Sequence, residues 1–317
     1  MMHLLHMPVH VYLPMPNNKY YLILYYSPLC DSMTRIIVTH GGAGAGKEYT
    51  DGTKAAAEKG MEYLRSGKSA LEAVIEAIVV LEDDVRFNAG TGSYAKLNGE
   101  IEMDAALMDS NMNAGAVAAI RRVKNPIRVA RAVMDSPHVL LVGNGAIDFA
   151  RACGFPDYDP MTEKARKKLE EVKEKLKTGD LPPWAQKWKN FVYPGLTGTV
   201  GAVAMDDNTY FVAGSSTGGT SIMLPGRVGD SPQIGSGLYA GKHGAVTATG
   251  IGEEIIKRVL CKSIYDKIAR GWHPQKACEF GIRQFPNEIS VGVIAVSKKG
   301  AGVASNRDMA HWVIVEE

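Results

Sequence analysis

Residues 198–220 read GTVGAVAMDDNTYFVAGSSTGGT, and this stretch decides the fold. Thr199 to Met205 and Thr209 to Ala213 are runs of small and β-branched residues. Asp206-Asp207-Asn208 between them is a polar turn cluster. The spacing predicts a β-hairpin, with Ser216-Thr217-Gly218-Gly219 on its second strand. Toward the C-terminus, Ala245 to Thr249 reads as a strand running into Gly250. A single helix is expected next, with Ile256, Leu260, Ile264 and Ile268 on one face. Pro274 sits where a further helix would begin, since proline suits the first turn. Ser290 to Val296 and Gly302 to Ser305 form a pair around a Lys-Lys-Gly turn.

Toward the N-terminus, Ile36-Ile37-Val38 is a short buried strand ending in His40-Gly41-Gly42. Helices are predicted from Thr53 to Leu64, from Ser69 onward and from Pro126 to Met134. Ser69 with Glu72 three residues later is a capping box. Glu102 to Met108, Ala114 to Ile120 and Val139 to Val142 read as strands. In residues 161–178, Met161, Ala165, Leu169, Val172 and Leu176 make one narrow apolar seam on a charged surface helix. Residues 179–195 carry Pro and Trp without a period and read as a linker. Two strand-rich halves, each with helix pairs, describe a layered α/β protein with helices outside paired sheets.

Composition narrows the function. The 317 residues carry 36 Lys+Arg against 34 Asp+Glu, so no basic footprint for nucleic acid exists. The apolar fraction of 45% is that of a globular chain, and no apolar run approaches a membrane span. The four cysteines, Cys30, Cys153, Cys261 and Cys278, form no C-x-x-C pair and read as free thiols of a reducing, cytoplasmic compartment. Residues 1–32 carry three His, five Tyr and four Pro and are unlike the rest. They read as a poorly ordered or mis-called extension, with Met33 as the true start. Residues 33–317 then form a single domain.

Gly41-x-x-x-x-Gly46-Lys47 follows a strand, as a phosphate-binding loop does. The position that needs a hydroxyl for magnesium is Glu48, whose carboxylate would repel phosphates. A nucleotide-binding protein is therefore the weaker alternative.

The denser signal runs from Gly198 to Gly252. Arg227 offers a planar fork for a carboxylate, and Asp230 can accept from an ammonium. Thr249 and the N–H of Gly250 stand ahead of a helix N-terminus, where donors can hold an oxyanion. Such a site suits a free α-amino-acid head group. A threonine nucleophile needs a base beside it. If the chain breaks before Thr199, that residue gains an α-amine of pKa ~7.7–8.0, neutral in useful fraction near pH 7.

The pieces Gly198-Thr199-Val200-Gly201-Ala202-Val203-Ala204, Ser216-Thr217-Gly218-Gly219, Pro225-Gly226-Arg227-Val228-Gly229-Asp230-Ser231-Pro232 and Thr249-Gly250 closely resemble the plant-type L-asparaginase / isoaspartyl peptidase family. His40-Gly41-Gly42-Ala43-Gly44 and Phe87-Asn88-Ala89-Gly90 match its N-terminal half, and the resemblance covers about residues 34–315. It implies an N-terminal-nucleophile hydrolase built as a four-layer αββα sandwich. It implies self-cleavage between Gly198 and Thr199 into 33–198, ending in a mobile linker 179–198, and 199–317, with two such precursors pairing as (αβ)₂. Thr199 would be the nucleophile, Thr217 its orienting partner, and Thr249 and Gly250 the oxyanion hole. Arg227, Asp230 and Gly252 would bind substrate, with Asn88 near the nucleophile and the His40-Gly41-Gly42 loop behind the cleavage site. L-Asparagine and β-aspartyl dipeptides are the implied substrates. No cofactor for catalysis is implied, only a structural sodium held by the backbone of Leu81, Glu82, Asp84, Phe87, Ala89 and Thr91. Glycosylasparaginase shares the Arg-Val-Gly-Asp-Ser-Pro and Thr-Gly pieces but lacks the His-Gly-Gly-Ala-Gly opening. The chain departs from the family pattern at Thr220-Ser221-Ile222-Met223, where many members carry Met/Thr-Asn-Lys. That departure bears on substrate preference.

Overall fold

The computed structural model describes residues 34–178, 197–220 and 223–317. The expected extension 1–32, the start at Met33 and the linker 179–195 lie outside the described residues. In the first part of the chain the strands are β1 (Arg35–Ala43), β2 (Met103–Asp109), β3 (Ala114–Ile120) and β4 (Leu140–Val142). The helices there are α1 (Thr50–Arg65), α2 (Ala70–Asp83), α3 (Pro126–Met134), α4 (Gly143–Ala152) and α5 (Glu163–Thr178). After it come β5 (Thr197–Met205), β6 (Phe211–Thr220), β7 (Leu238–Gly241) and β8 (Gly244–Gly250). Then follow α6 (Gly252–Arg258), α7 (Leu260–Ala269), α8 (Pro274–Ile282), β9 (Val291–Ser297), β10 (Gly300–Ser305) and β11 (Met309–Glu316).

The strands make two sheets in a mixed α/β fold. The seven-stranded sheet has the order β11-β1-β5-β6-β2-β3-β4, and the four-stranded one β10-β9-β8-β7. The two halves of the chain are therefore interleaved. The last strand, β11, pairs antiparallel with the first, β1, which pairs with β5.

The period-two alternation of β5 and β6 explains where their side chains go. Val200, Ala202 and Ala204 join an apolar cluster with Ala56, Val74 and Ile78 of α1 and α2. Val203 and Met205 point the other way, into a second cluster with Ala245 of β8 and Ile294 of β9. A third cluster packs Val246, Ala248 and Val293 against Leu260, Ile264 and Cys278. Thr199 shares the parity of Val203, so it faces the space between the sheets. Cys261 and Cys278 are buried free thiols, and Cys153 is an exposed one.

The hairpin is as read, with Met205 opposite Phe211. Asp206 makes its turn: Oδ1 accepts from Asn208 N at 3.0 Å and Tyr210 N at 3.1 Å. Its other oxygen accepts from Ala70 N at 3.0 Å, tying the turn to the start of α2. The capping box forms there too. Ser69 Oγ accepts from Glu72 N at 3.3 Å, and Glu72 Oε2 accepts from Ser69 N at 3.1 Å. Ser69→Ala is expected to cost about 1 kcal/mol of unfolding free energy, the usual worth of an N-cap, without changing KM. A loss below ~0.3 kcal/mol on chemical denaturation would mean that Asp206 alone anchors this helix end.

One expectation fails. The single helix after Gly250 is two helices, broken at Val259, which stands at φ 46°. Ile255, not Ile256, is buried on α6. The break lets the first turn of α7 dock on the loop before β7, where Cys261 N donates to Ser236 O and Lys262 N to Gly235 O. These bonds satisfy N–H groups that a helix start leaves open, and they offset the strain at Val259. Strand β11 has no counterpart in the sequence reading, and β1 runs through His40-Gly41-Gly42 to Ala43.

Candidate active site

The ends of β5 and β6 carry two threonines side by side. Thr199 is 5% exposed, and its Oγ1 donates to Thr217 Oγ1 at 3.2 Å. The Thr217 hydroxyl in turn donates to Gly198 O at 3.1 Å and accepts from Gly219 N at 2.9 Å. It thus uses its one proton on the carbonyl just before Thr199 and fills both lone pairs. The register supports this contact: Thr199 lies opposite Thr217, and the pairing slips between Thr199 and Thr197, which faces Thr220.

Asn88 locks the same corner. Its Nδ2 donates to Gly219 O at 2.6 Å, and its Oδ1 accepts from Tyr94 N at 2.9 Å. A Cβ on Gly198 would come within 2.9 Å of the Asn88 Cβ, so a side chain before Thr199 has no room. Gly42 of β1 backs the same bond, 3.2 Å from Gly198 Cα when measured from an ideal Cβ position. His40 pairs with Gly201 and is fully buried. Burial pulls its pKa down to about 3; His311 adds to the fall and the Thr199 backbone opposes it. The ring is a neutral spacer beside β5.

Arg227, Asp230 and Gly250 line one pocket with Thr199 and Thr217. Asp230 is 3% exposed, and its Oδ2 has no hydrogen-bond partner among the described residues. Burial lifts its pKa to about 7, against the pull of Arg227; Glu253 and Asp104 add to the rise. An unpartnered buried carboxyl calls for a cation. Gly252 explains how guanidinium and carboxyl share the space. A Cβ there would lie 2.9 Å from both Arg227 Nη2 and Asp230 Oδ1. Thr249 is fully buried beside the pocket, its hydroxyl accepting from Ala43 N at 3.1 Å.

Two neighbours escaped the sequence reading. Arg227 is held by Glu253 through two bonds of 2.9 Å. An acid in the first turn of a helix reads as an ordinary partner of the helix dipole, so nothing pointed to it. Lys96, in the loop before β2, is 1% exposed. Its setting in Leu97-Asn98-Gly99 is that of a surface turn, and only the fold buries it.

For the sodium implied by the resemblance, the turn after α2 offers neutral oxygens. An ideal Cβ on Gly90 would lie 2.5 Å from Glu82 O, and one on Gly92 2.9 Å from Val85 O, so carbonyls crowd this turn. The carbonyls of Asp84 and Ala89 already accept from Phe87 N and Gly92 N. Uncharged oxygens of this kind suit a monovalent cation held for structure, and Lys164 Nζ already occupies two of them, donating to Val85 O at 3.2 Å and Arg86 O at 2.8 Å. Among the described residues no cluster of His, Cys, Asp or Glu could hold a metal ion. No helix among them is long and apolar enough to cross a membrane.

A hydroxyl poised beside a polarised carbonyl, with a cation and a carboxyl sharing one small pocket, suits a hydrolase for compact amides that carry both charges of an amino acid. Comparison with known families agrees. The family described as asparaginase (Asparaginase_2) matches residues 33–316, and the chain belongs to that family. It is 44% identical over 297 residues to the plant-type L-asparaginase of Pyrococcus furiosus, covering 89% of this chain and 96% of the relative. The plant-type L-asparaginase of Thermococcus kodakarensis is 45% identical over 297 residues, with the same coverage. The isoaspartyl peptidase/L-asparaginase of Homo sapiens is 42% identical over 287 residues, covering 86% of this chain and 90% of the relative.

Proposed function

We propose that this enzyme cuts itself between Gly198 and Thr199 and then hydrolyses L-asparagine to L-aspartate and ammonia, and β-aspartyl dipeptides to aspartate and the second amino acid. The observation that carries this reading is the hydroxyl chain from Thr199 through Thr217 to Gly198 O, beside a pocket with Arg227 and Asp230. The names of the relatives, plant-type L-asparaginase and isoaspartyl peptidase/L-asparaginase, support the same substrates.

In self-cleavage, Thr199 Oγ1 adds to the Gly198 carbonyl, whose oxygen already receives the Thr217 proton donor. The C–N bond breaks as the Oγ1 proton passes to the Thr199 nitrogen, an ester forms, and water hydrolyses it to a Gly198 carboxylate and a free Thr199 amine. That amine is then the base for the second reaction. Arg227 takes the substrate α-carboxylate and Asp230 its ammonium. Oγ1 attacks the side-chain carbonyl, Thr249 and Gly250 N–H hold the oxyanion, the amine leaves protonated, and water releases aspartate. The two sheets and the helices on their outer faces form the four-layer αββα sandwich of N-terminal-nucleophile hydrolases. Cleaved precursors pair as (αβ)₂, and the 81–91 turn takes a sodium that steadies Asn88. Free thiols fit a cytoplasmic setting.

Intact-mass analysis after warm incubation tests the reading, with ammonia and aspartate release measured in EDTA. Two fragments meeting at Gly198–Thr199, with turnover that survives chelation, are expected. An uncut chain that releases no aspartate from either substrate would refute it, and strong reversible loss in EDTA would contradict metal-free chemistry.

A further inference from the structure

Lys96 is a buried cation that the proposed mechanism leaves unused. Its Nζ forms no ion pair among the described residues; its polar contact is Met223 Sδ at 3.6 Å. A thioether is a weak acceptor, and an ammonium taken from water needs a better one. The same sulfur faces Arg227 Nη1 at 3.3 Å and Thr220 N at 3.1 Å. Three donors, two of them cationic, therefore converge on one poor acceptor.

The spot adjoins the pocket. Thr220, Arg227 and Gly219 line it together with Thr199. A Cβ on Gly219 would lie 3.2 Å from Lys96 Nζ and 2.6 Å from Met223 Sδ, so only a missing side chain and a flexible methionine separate Lys96 from the cavity. Burial pulls the Lys96 pKa down to about 8, and Arg227 adds to the fall; Asp104 and Glu102 face it at longer range and favour its charge without offsetting burial. Each carboxylate has its own bond: Glu102 Oε2 accepts from Gly226 N at 2.7 Å, and Asp104 Oδ1 from Ala119 N at 2.8 Å. At pH 7 Lys96 is mostly charged and lacks an anion of its own among the described residues.

We propose that Lys96 is a second cation for the substrate's α-carboxylate, which displaces the Met223 thioether and lies between Lys96 Nζ, Arg227 Nη1 and the Thr220 N–H. Lys96 thereby sets specificity for a free α-carboxylate. The inference rests on the proposed hydrolysis of asparagine and adds one residue to it. Two charge-assisted bonds replace two weak contacts to sulfur, so the gain is confined to substrates that carry that group.

Wild type, Lys96→Met and Lys96→Arg are compared on L-asparagine and on its α-amide, which lacks the α-carboxylate. Wild type is first checked for turnover of asparagine; its absence would sink the proposed function itself. Given turnover, Lys96→Met is expected to raise KM for asparagine tenfold or more with kcat within about threefold. Its preference for asparagine over the α-amide falls by the same factor, and Lys96→Arg restores at least half of it on a logarithmic scale. An unchanged preference in Lys96→Met overturns the proposal, because a merely structural lysine would affect both substrates alike. A crystal structure of the cleaved wild type with L-aspartate decides the matter even if the variants do not fold. A carboxylate oxygen within hydrogen-bond distance of Lys96 Nζ, with Met223 moved, is expected. Met223 unmoved, with the carboxylate on Arg227 alone, overturns it.

Discussion

Replacing Thr199 by alanine leaves one uncut chain and abolishes turnover, a loss of roughly 10⁴-fold or more, as removal of a nucleophile does elsewhere. Two events share this side chain. Its Oγ1 stands in line with the Thr217 hydroxyl, which already donates to the carbonyl that must be attacked. Without Oγ1 the Gly198–Thr199 bond has no adjacent nucleophile, since Thr217 has its proton on the carbonyl. Without cleavage, residue 199 keeps an amide nitrogen, which cannot serve as a base near pH 7. The alanine variant therefore fails twice. Thr199→Ser keeps a hydroxyl and still cuts, with slower turnover. A denaturing gel and an ammonia assay read both outcomes, and full activity in an uncut chain would end the N-terminal-nucleophile reading.

Arg227→Ala or Asp230→Ala lowers kcat/KM for asparagine by roughly 30-fold to several thousand-fold while the chain still cuts at Gly198–Thr199. Truncating one partner of a desolvated charge pair costs about 2–5 kcal/mol, and each ~1.4 kcal/mol is tenfold. Asp230 meets that condition, with an orphaned oxygen and 3% exposure. Arg227 is 17% exposed, whereas the Glu253 that holds it is 57% exposed. A carboxylate so open to water binds weakly and leaves the guanidinium charge available to a substrate carboxylate on its Nη1 side. A surface pair alone would cost under about fivefold. The raised pKa of Asp230, about 7, adds a sign: its carboxyl is neutral below that pH and ionised above it. KM for asparagine therefore falls as pH rises from 6 to 8, and Asp230→Ala flattens this component of the profile. Because the pocket reads the head group, β-aspartyl dipeptides are cleaved and N-acetyl-asparagine is not. Efficient hydrolysis of the acetylated compound, or near wild-type rates in Asp230→Ala, would overturn the assignment.

Read alone, the chain determined what depends on neighbours in sequence. The hairpin around Asp206, the capping box at Ser69, the proline starts of α3 and α8 and the parity of β5 all follow from local periodicity and turn chemistry. The Gly-Thr pair and the Arg-Asp spacing were legible for the same reason. Tertiary structure decided whatever depends on distant partners. It placed β11 beside β1, because the free side of β1 presents N–H and C=O groups that β11 pairs in antiparallel register. It broke the helix after Gly250 at Val259, because carbonyls of Gly235 and Ser236 could satisfy a new helix start. It set Glu253 on Arg227 and buried Lys96 against Met223, contacts between residues 26 and 127 positions apart. Local pattern carries no record of such contacts, since a charged residue in a turn looks the same whether the fold leaves it in water or closes over it.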